Sequence, residues 1–273
     1  MHLGDVKSVG DIKCISFVAE TTPGQSVRGE FTQPRRMRAV EHPDPSPSAS
    51  VEQLYVLCAP PILPPEMQKA ADLWLASPDR PDAAPDSPRP VTVRLKSATV
   101  QWRPGRAILQ SAPGSSESFL SALIDFAFFE SELRRLERYL LPYEASAPAD
   151  VALAYRIRKT SRSEWDRLGQ TMEGLSLMRL AFAVIQPHLV AASRSLDSET
   201  RRFAARLIVR SGMPERLESF SSRLETCEDL YEGAVDRITD FRGYHKGFAL
   251  ETIIIVLLVL ELIAMILQLI FRL

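Results

Sequence analysis

Cysteine is scarce in this sequence, and what there is has no useful spacing. Three residues in 273, Cys14, Cys58 and Cys227, are odd in number and far apart. They form neither a disulfide framework nor a CxxC or Cys/His zinc pattern, and a reducing compartment is the simplest setting. Excess charge is lacking too. A net charge of −1, with 25% charged residues, gives no global pull towards nucleic acid or an anionic surface. The opening MHLGDVKSVGDIKC has no apolar core, so no secretory signal peptide is expected. The phosphate-cradling patterns GxGxxG and GxxxxGK[ST] and the nucleophile elbow GxSxG are missing. None of His2, His42, His188 and His245 has a carboxylate or cysteine at ligand spacing. No catalytic residue, metal site or cofactor is therefore expected, and the chain reads as non-enzymatic.

What the sequence does contain begins with two stretches rich in proline and small polar residues, 33–50 and 78–90, which read as linkers. Around them, 12–20 and 53–59 have the character of short buried strands. Residues 64–76 read as a helix with proline at its start. Alternation over 91–102, extended by 106–110 after Pro104-Gly105, predicts a hairpin. Ser115 or Ser116 caps a helix over 117–141 with a stripe of Phe129, Leu133, Leu136 and Leu140, and Pro142 is expected to stop it. On that helix Glu130, Glu132 and Glu137 alternate with Arg134, Arg135 and Arg138, the pattern of a solvated, salt-bridged face. Residues 151–158 alternate as a last strand. The order is then β-α-β-β-α-β, and the expected fold is α+β with a ferredoxin-like split, followed by long helices. Residues 1–50 form a variable segment with one strand and a proline-rich linker, 51–160 the α+β domain, 161–246 a helical and coiled-coil region, and 247–273 a transmembrane helix.

The helical region carries the clearest pattern. Trp165, Leu168, Met172, Leu175 and Phe182 keep helical spacing up to Pro187, and a short helix over 198–211 ends at Gly212. From Leu217 an a/d repeat takes in Leu217, Phe220, Leu224, Cys227, Tyr231, Ala234, Ile238 and Phe241. Such a seam pairs either between chains, as an oligomerisation surface, or within one chain as a helical hairpin. The register runs on through His245 and Phe248 into an apolar tail. From Phe248 to Phe271 only Glu251, Thr252, Glu261 and Gln268 interrupt the apolar character. At 1.5 Å per residue this is about 36 Å of helix, enough for a hydrocarbon core of about 30 Å, so a C-terminal membrane span is expected. Arg242, His245 and Lys246 beside it favour a cytoplasmic N-terminal domain. A buried carboxylate there costs roughly 2.5–3.5 kcal/mol. Glu251, Glu261 and Gln268 are accordingly candidate intramembrane polar residues, with Glu261 expected to join copies of the helix by hydrogen bonds.

The segment LETCEDLYEGAVDRI, followed by LETIIIVLLVLELI, resembles the end of the required-for-meiotic-nuclear-division family, which pairs leucine and glutamate at the opening of a C-terminal span. The matching positions are Leu250-Glu251 and Glu261, and TVQWRPGRAIL resembles the strand region ahead of the family's helices. The resemblance covers about 91–273 and leaves out the proline-rich first 90 residues. It implies a membrane-anchored, self-associating, non-catalytic protein, in the mitochondrial inner membrane for eukaryotic relatives, where they support translation.

One basic cluster, Arg156, Arg158, Lys159 and Arg162, can meet phosphate or lipid headgroups. The helix after it is acidic, with five Lys/Arg against eight Asp/Glu over 214–246, which argues against nucleic acid. The expected function is a single-span, tail-anchored, self-associating scaffold of the inner (cytoplasmic) membrane. Its partners would be the membrane, further copies of itself and a protein or ribosomal component. The alternatives are a membrane-tethered ribosome- or RNA-associated factor and a channel-like oligomer.

Overall fold

A computed structural model describes residues 9–20, 25–42, 52–77, 89–112, 114–155 and 162–270. The strands are β1 (Asp11–Val18), β2 (Ser26–Phe31), β3 (Met37–His42), β4 (Gln53–Ala59), β5 (Val91–Arg94), β6 (Ala98–Arg103) and β7 (Arg106–Ser111). The helices are α1 (Pro65–Ala76), α2 (Ser116–Tyr155), α3 (Arg162–Val190), α4 (Ser198–Arg210) and α5 (Met213–Ile270). The chain divides into two compact units: Met1–Tyr139 with Met178–Ser222, and Leu140–Leu177 with Arg223–Leu273.

The first unit holds one seven-stranded sheet in the order β2-β3-β1-β4-β7-β6-β5. Every pairing is antiparallel except β4 with β7. Its register sets Ile12 opposite Leu57 and Leu57 opposite Ile108, a row across three strands. That row packs with Ala71, Trp74 and Leu75 of α1. Because side chains alternate across a sheet, the neighbouring residues serve the other face. There Phe17 meets Phe128 of α2 with ring centroids 5.4 Å apart, and Phe31 stacks on Phe128 at 3.8 Å. Trp102 meets Phe126 edge-on at 5.2 Å.

Helix ends follow local chemistry. Pro65 opens α1, where a missing N–H costs nothing. At its other end Arg103 Nη1 donates to the carbonyls of Leu75, Ala76 and Ser77 at 3.1, 2.7 and 3.2 Å. Arg106 Nη1 donates to Trp74 O at 2.6 Å, so two cations sit at the negative end of the helix dipole. Asp197 caps α4 by accepting from the N–H groups of Glu199 and Thr200 at 2.9 and 3.0 Å, and a bond from the Thr200 side chain, together with these backbone bonds, holds its carboxyl below the usual range. After α4 the chain turns at Gly212, whose φ of 67° is the left-handed value glycine adopts freely.

Both sheet edges are guarded. On β5, Arg206 and Arg210 of α4 donate to the backbone carbonyls of Arg94 and Thr92, at 3.0 and 2.5 Å. On β2, the register shifts between Val27 and Gly29, and Arg28 and Glu30 are engaged by Glu41 and Arg38. Such devices block strand addition.

Five expectations are overturned. The ferredoxin-like order is not what forms: β2 and β3 widen the sheet, and β4 pairs in parallel with β7. Met37–His42 is a strand inside the stretch taken for a linker, secured by pairing on both sides. α2 does not stop at Pro142 but runs through Pro142 and Pro148. Residues 151–155, expected as a strand, belong to it. Finally, among the described residues no helix is long and apolar enough to cross a membrane. The apolar section with described side chains runs from Ile253 to Ile263, about 16 Å of helix, against a core of about 30 Å.

Candidate functional site

In the first unit α2 carries a belt of buried charge. Glu130 and Glu132 are fully buried, not the solvated face their spacing suggests. Glu130 accepts from Arg216 Nη1 at 2.9 Å and Arg134 Nη2 at 2.8 Å. Glu132 accepts from Arg35 and Arg135, both at 2.6 Å. Arg216 also grips Glu137 through Nε and Nη2, at 3.2 and 2.7 Å. Ser131 donates to Glu52 at 3.1 Å, and Glu52 in turn meets Arg35 and Arg138. The two buried carboxylates are each held by two guanidinium groups, the condition under which buried charge is tolerated. With their oxygens occupied, Glu130 ties α2 to α5 and Glu132 ties α2 to the segment between β2 and β3.

The second unit has a smaller polar cluster. The Tyr231 hydroxyl donates to Asp150 at 2.8 Å and lies 2.9 Å from Ser146 Oγ. Arg167 donates to the other Asp150 oxygen at 2.6 Å. Burial, with the Asp150 bond, pushes the Tyr231 hydroxyl up to about 12. Glu144 accepts from Arg223 through two bonds, at 2.7 and 2.6 Å, which hold its carboxyl below the usual range. A tyrosine inside an apolar repeat was the sequence signal for this cluster, since a buried phenol needs a partner.

The seam predicted on α5 is largely buried within the chain. Leu217 and Phe220 lie in the first unit, where Phe220 meets Phe182 at 4.9 Å. Leu224, Cys227, Tyr231 and Ala234 are buried in the second. The side chains of Ile238 and Phe241 lie outside the described residues, as do those of Arg242, His245 and Lys246. Arg156, Arg158 and Lys159 lie outside them as well; Arg162 opens α3, its side chain likewise outside.

No thiol is poised for nucleophilic work. Burial pushes Cys58 up to about 11 and raises Cys14 and Cys227, the opposite of the shift that makes a thiolate at neutral pH. Among the described residues no group of three or more His, Cys, Asp or Glu is placed to hold a metal ion.

What stands out is the distal part of α5. Apart from Glu261, every residue from Ile253 to Ile263 is Ile, Leu or Val, between 47% and 60% exposed. Glu251 and Glu261 are exposed on this helix, and the Gln268 side chain lies outside the described residues. Among the described residues no helix is long and apolar enough to cross a membrane around them. The tail-anchored inner-membrane scaffold is overturned on the same ground, with its membrane-tethered and channel-like alternatives.

No family model and no curated protein matches this sequence. Among solved structures, the CorA magnesium transporter from Methanocaldococcus jannaschii is similar over 89% of this chain and 81% of that chain. The identity is 10% and the TM-score 0.38, a likeness too distant to carry an argument.

Proposed function

We propose that this chain is a non-enzymatic assembly protein whose long helix α5 joins copies of the chain through its apolar section. The observation that carries the reading is the half-exposed run from Ile253 to Ile263. Such side chains offer on the order of 1,000 Å², above the roughly 300–600 Å² of the largest patch on a typical monomer. A partner packed on one face covers about half of this, so two helices together bury on the order of 1,000 Å², the size at which a specific interface begins. A second copy is the natural occupant, because every molecule brings the same apolar surface and a symmetric contact satisfies both at once. The charge-clamped α2 and the raised thiols favour a structural role over a catalytic one. The resemblance of Leu250-Glu251 and Glu261 to the required-for-meiotic-nuclear-division family implies the same class of self-associating, non-catalytic protein.

Size exclusion with light scattering on the full chain tests this. The expected mass is at least twice the 30.5 kDa of one chain, rising with sulfate as apolar contacts strengthen. A strict monomer at micromolar concentration refutes the reading.

A further inference from the structure

We infer that copies of the chain meet along one face of this section, the continuation of the heptad seam over Thr252, Ile255, Val259 and Leu262, with Glu261 outside the contact. The inference rests on the assembly reading above and specifies its surface. α5 is one helix from Met213 to Ile270, so the three-four spacing counted from Leu217 carries on without a break. From Leu217 to Ala234 the stripe is buried by the chain's own helices, none of its residues more than 4% exposed. At Ile255, Val259 and Leu262 the same stripe is open, with Ile255 at 60%. The chain therefore uses this seam where it has a partner helix of its own and leaves it bare further along.

Helix geometry decides where Glu261 stands. At about 100° per residue, Thr252, Ile255, Val259 and Leu262 fall within an arc of about 80°, and Glu261 lies about 140° from its centre. In heptad terms Thr252 and Val259 take a, Ile255 and Leu262 take d, and Glu261 takes c, a position that faces away from a coiled-coil partner. Val256 and Ile263 at e and Leu258 at g are apolar and widen the contact. A parallel, in-register copy sets Val259 against Val259 while both Glu261 carboxylates stay in water. Packing through the opposite face would bury them away from water with no cation beside them. Glu261 is thus a surface residue of the assembly, in contrast to the joining role expected from sequence.

Paired substitutions of matched apolar loss test the face, with light scattering of the full chain as readout. Ile255→Ser with Val259→Ser is expected to weaken association at least 100-fold. Ile254→Ser with Leu257→Ser, on the Glu261 side, and Glu261→Lys alone are each expected to change it less than threefold. Circular dichroism and Trp fluorescence check that each variant keeps its fold. Cysteine cross-linking gives an independent readout in milder variants: Val259→Cys should form a disulfide-linked dimer quickly under oxidation, and Glu261→Cys slowly. Equal weakening by both serine pairs, or faster cross-linking through position 261, overturns the seam while leaving self-association standing. An unmodified chain that is monomeric overturns the assembly reading itself.

Discussion

Replacing Arg216 by methionine tests whether the buried charge belt on α2 holds the first unit together. The substitution keeps the apolar stem and removes three bonds, one to Glu130 at 2.9 Å and two to Glu137 at 3.2 and 2.7 Å. Glu137 is partly exposed and regains water, whereas Glu130 is fully buried and keeps only Arg134. Breaking a buried pair outright costs about 3–5 kcal/mol. The surviving Arg134 contact and the 30% exposure of the Arg216 side chain reduce this to about 2–3 kcal/mol. Urea unfolding followed by Trp fluorescence suits the measurement, because Trp74 and Trp102 are both buried in this unit. With a slope of about 2 kcal/mol/M, the midpoint should fall by about 1 M. A Glu130→Gln change made on the Arg216→Met background should cost less than on the native chain, leaving a coupling of about 1–2 kcal/mol in the double-mutant cycle. A midpoint shift under 0.2 M, or strict additivity, refutes the clamp.

Other outcomes follow from single sites. Gly10→Ala places a Cβ 2.2 Å from the Cys58 carbonyl oxygen, so backbone must move, and a stability loss of about 1–3 kcal/mol is expected in urea melts. Arg103→Met strips the end of α1 of three bonds and should cost about 2 kcal/mol by the same assay. The Glu144 carboxyl is depressed below its ordinary 4.5 by Arg223, so its contribution is present above that pH and lost as pH falls below it. Arg223→Gln should flatten the acid limb of the stability profile. Asp125 shows the reverse sign: burial raises its carboxyl above 3.8, so its ionisation weakens the fold as pH rises. Asp125→Asn should raise the melting temperature at pH 7, with the gain vanishing at pH 3.

The parts visible in the sequence were those fixed by local rules. Proline at the start of α1, Gly212 after α4, the hairpin turn at Pro104-Gly105 and the a/d stripe of α5 all lie where the pattern puts them. β2 was hidden because an edge strand of exposed, partly charged residues carries little apolar signal, and β3 because its buried Met37, Ala39 and Val40 are broken up by Arg38 and Glu41 beside a proline-rich stretch; Met37–His42 becomes a strand by pairing with β1 and β2. Pro142 and Pro148 sit inside α2 because burial of Leu140, Ala147 and Asp150 outweighs the lost backbone bonds, a tertiary effect that a proline rule cannot include. Glu130 and Glu132 look like surface residues for a related reason. Their nearest arginines in sequence are three or four residues away, but the partners that bury them, Arg216 and Arg35, come from 86 and 97 positions off.

The first unit is assembled from two separated pieces of chain, and this sets a timetable for its biogenesis. The sheet is complete in sequence at Ser111, yet Arg206 and Arg210, which plug the carbonyls of β5, and Arg216, which neutralises Glu130, are synthesised about a hundred residues later. At roughly 5–20 residues per second, the ribosome leaves the β5 edge uncapped for on the order of 10 s. During that interval the nascent sheet offers open hydrogen-bonding groups to any extended strand nearby, and Glu130 lacks the distal arginine that its burial requires. The guard on the β5 edge is therefore a property of the finished chain, whereas the β2 edge carries its own guards from residues 28–41, so the window before translation passes Arg216 leaves one edge open to strand addition.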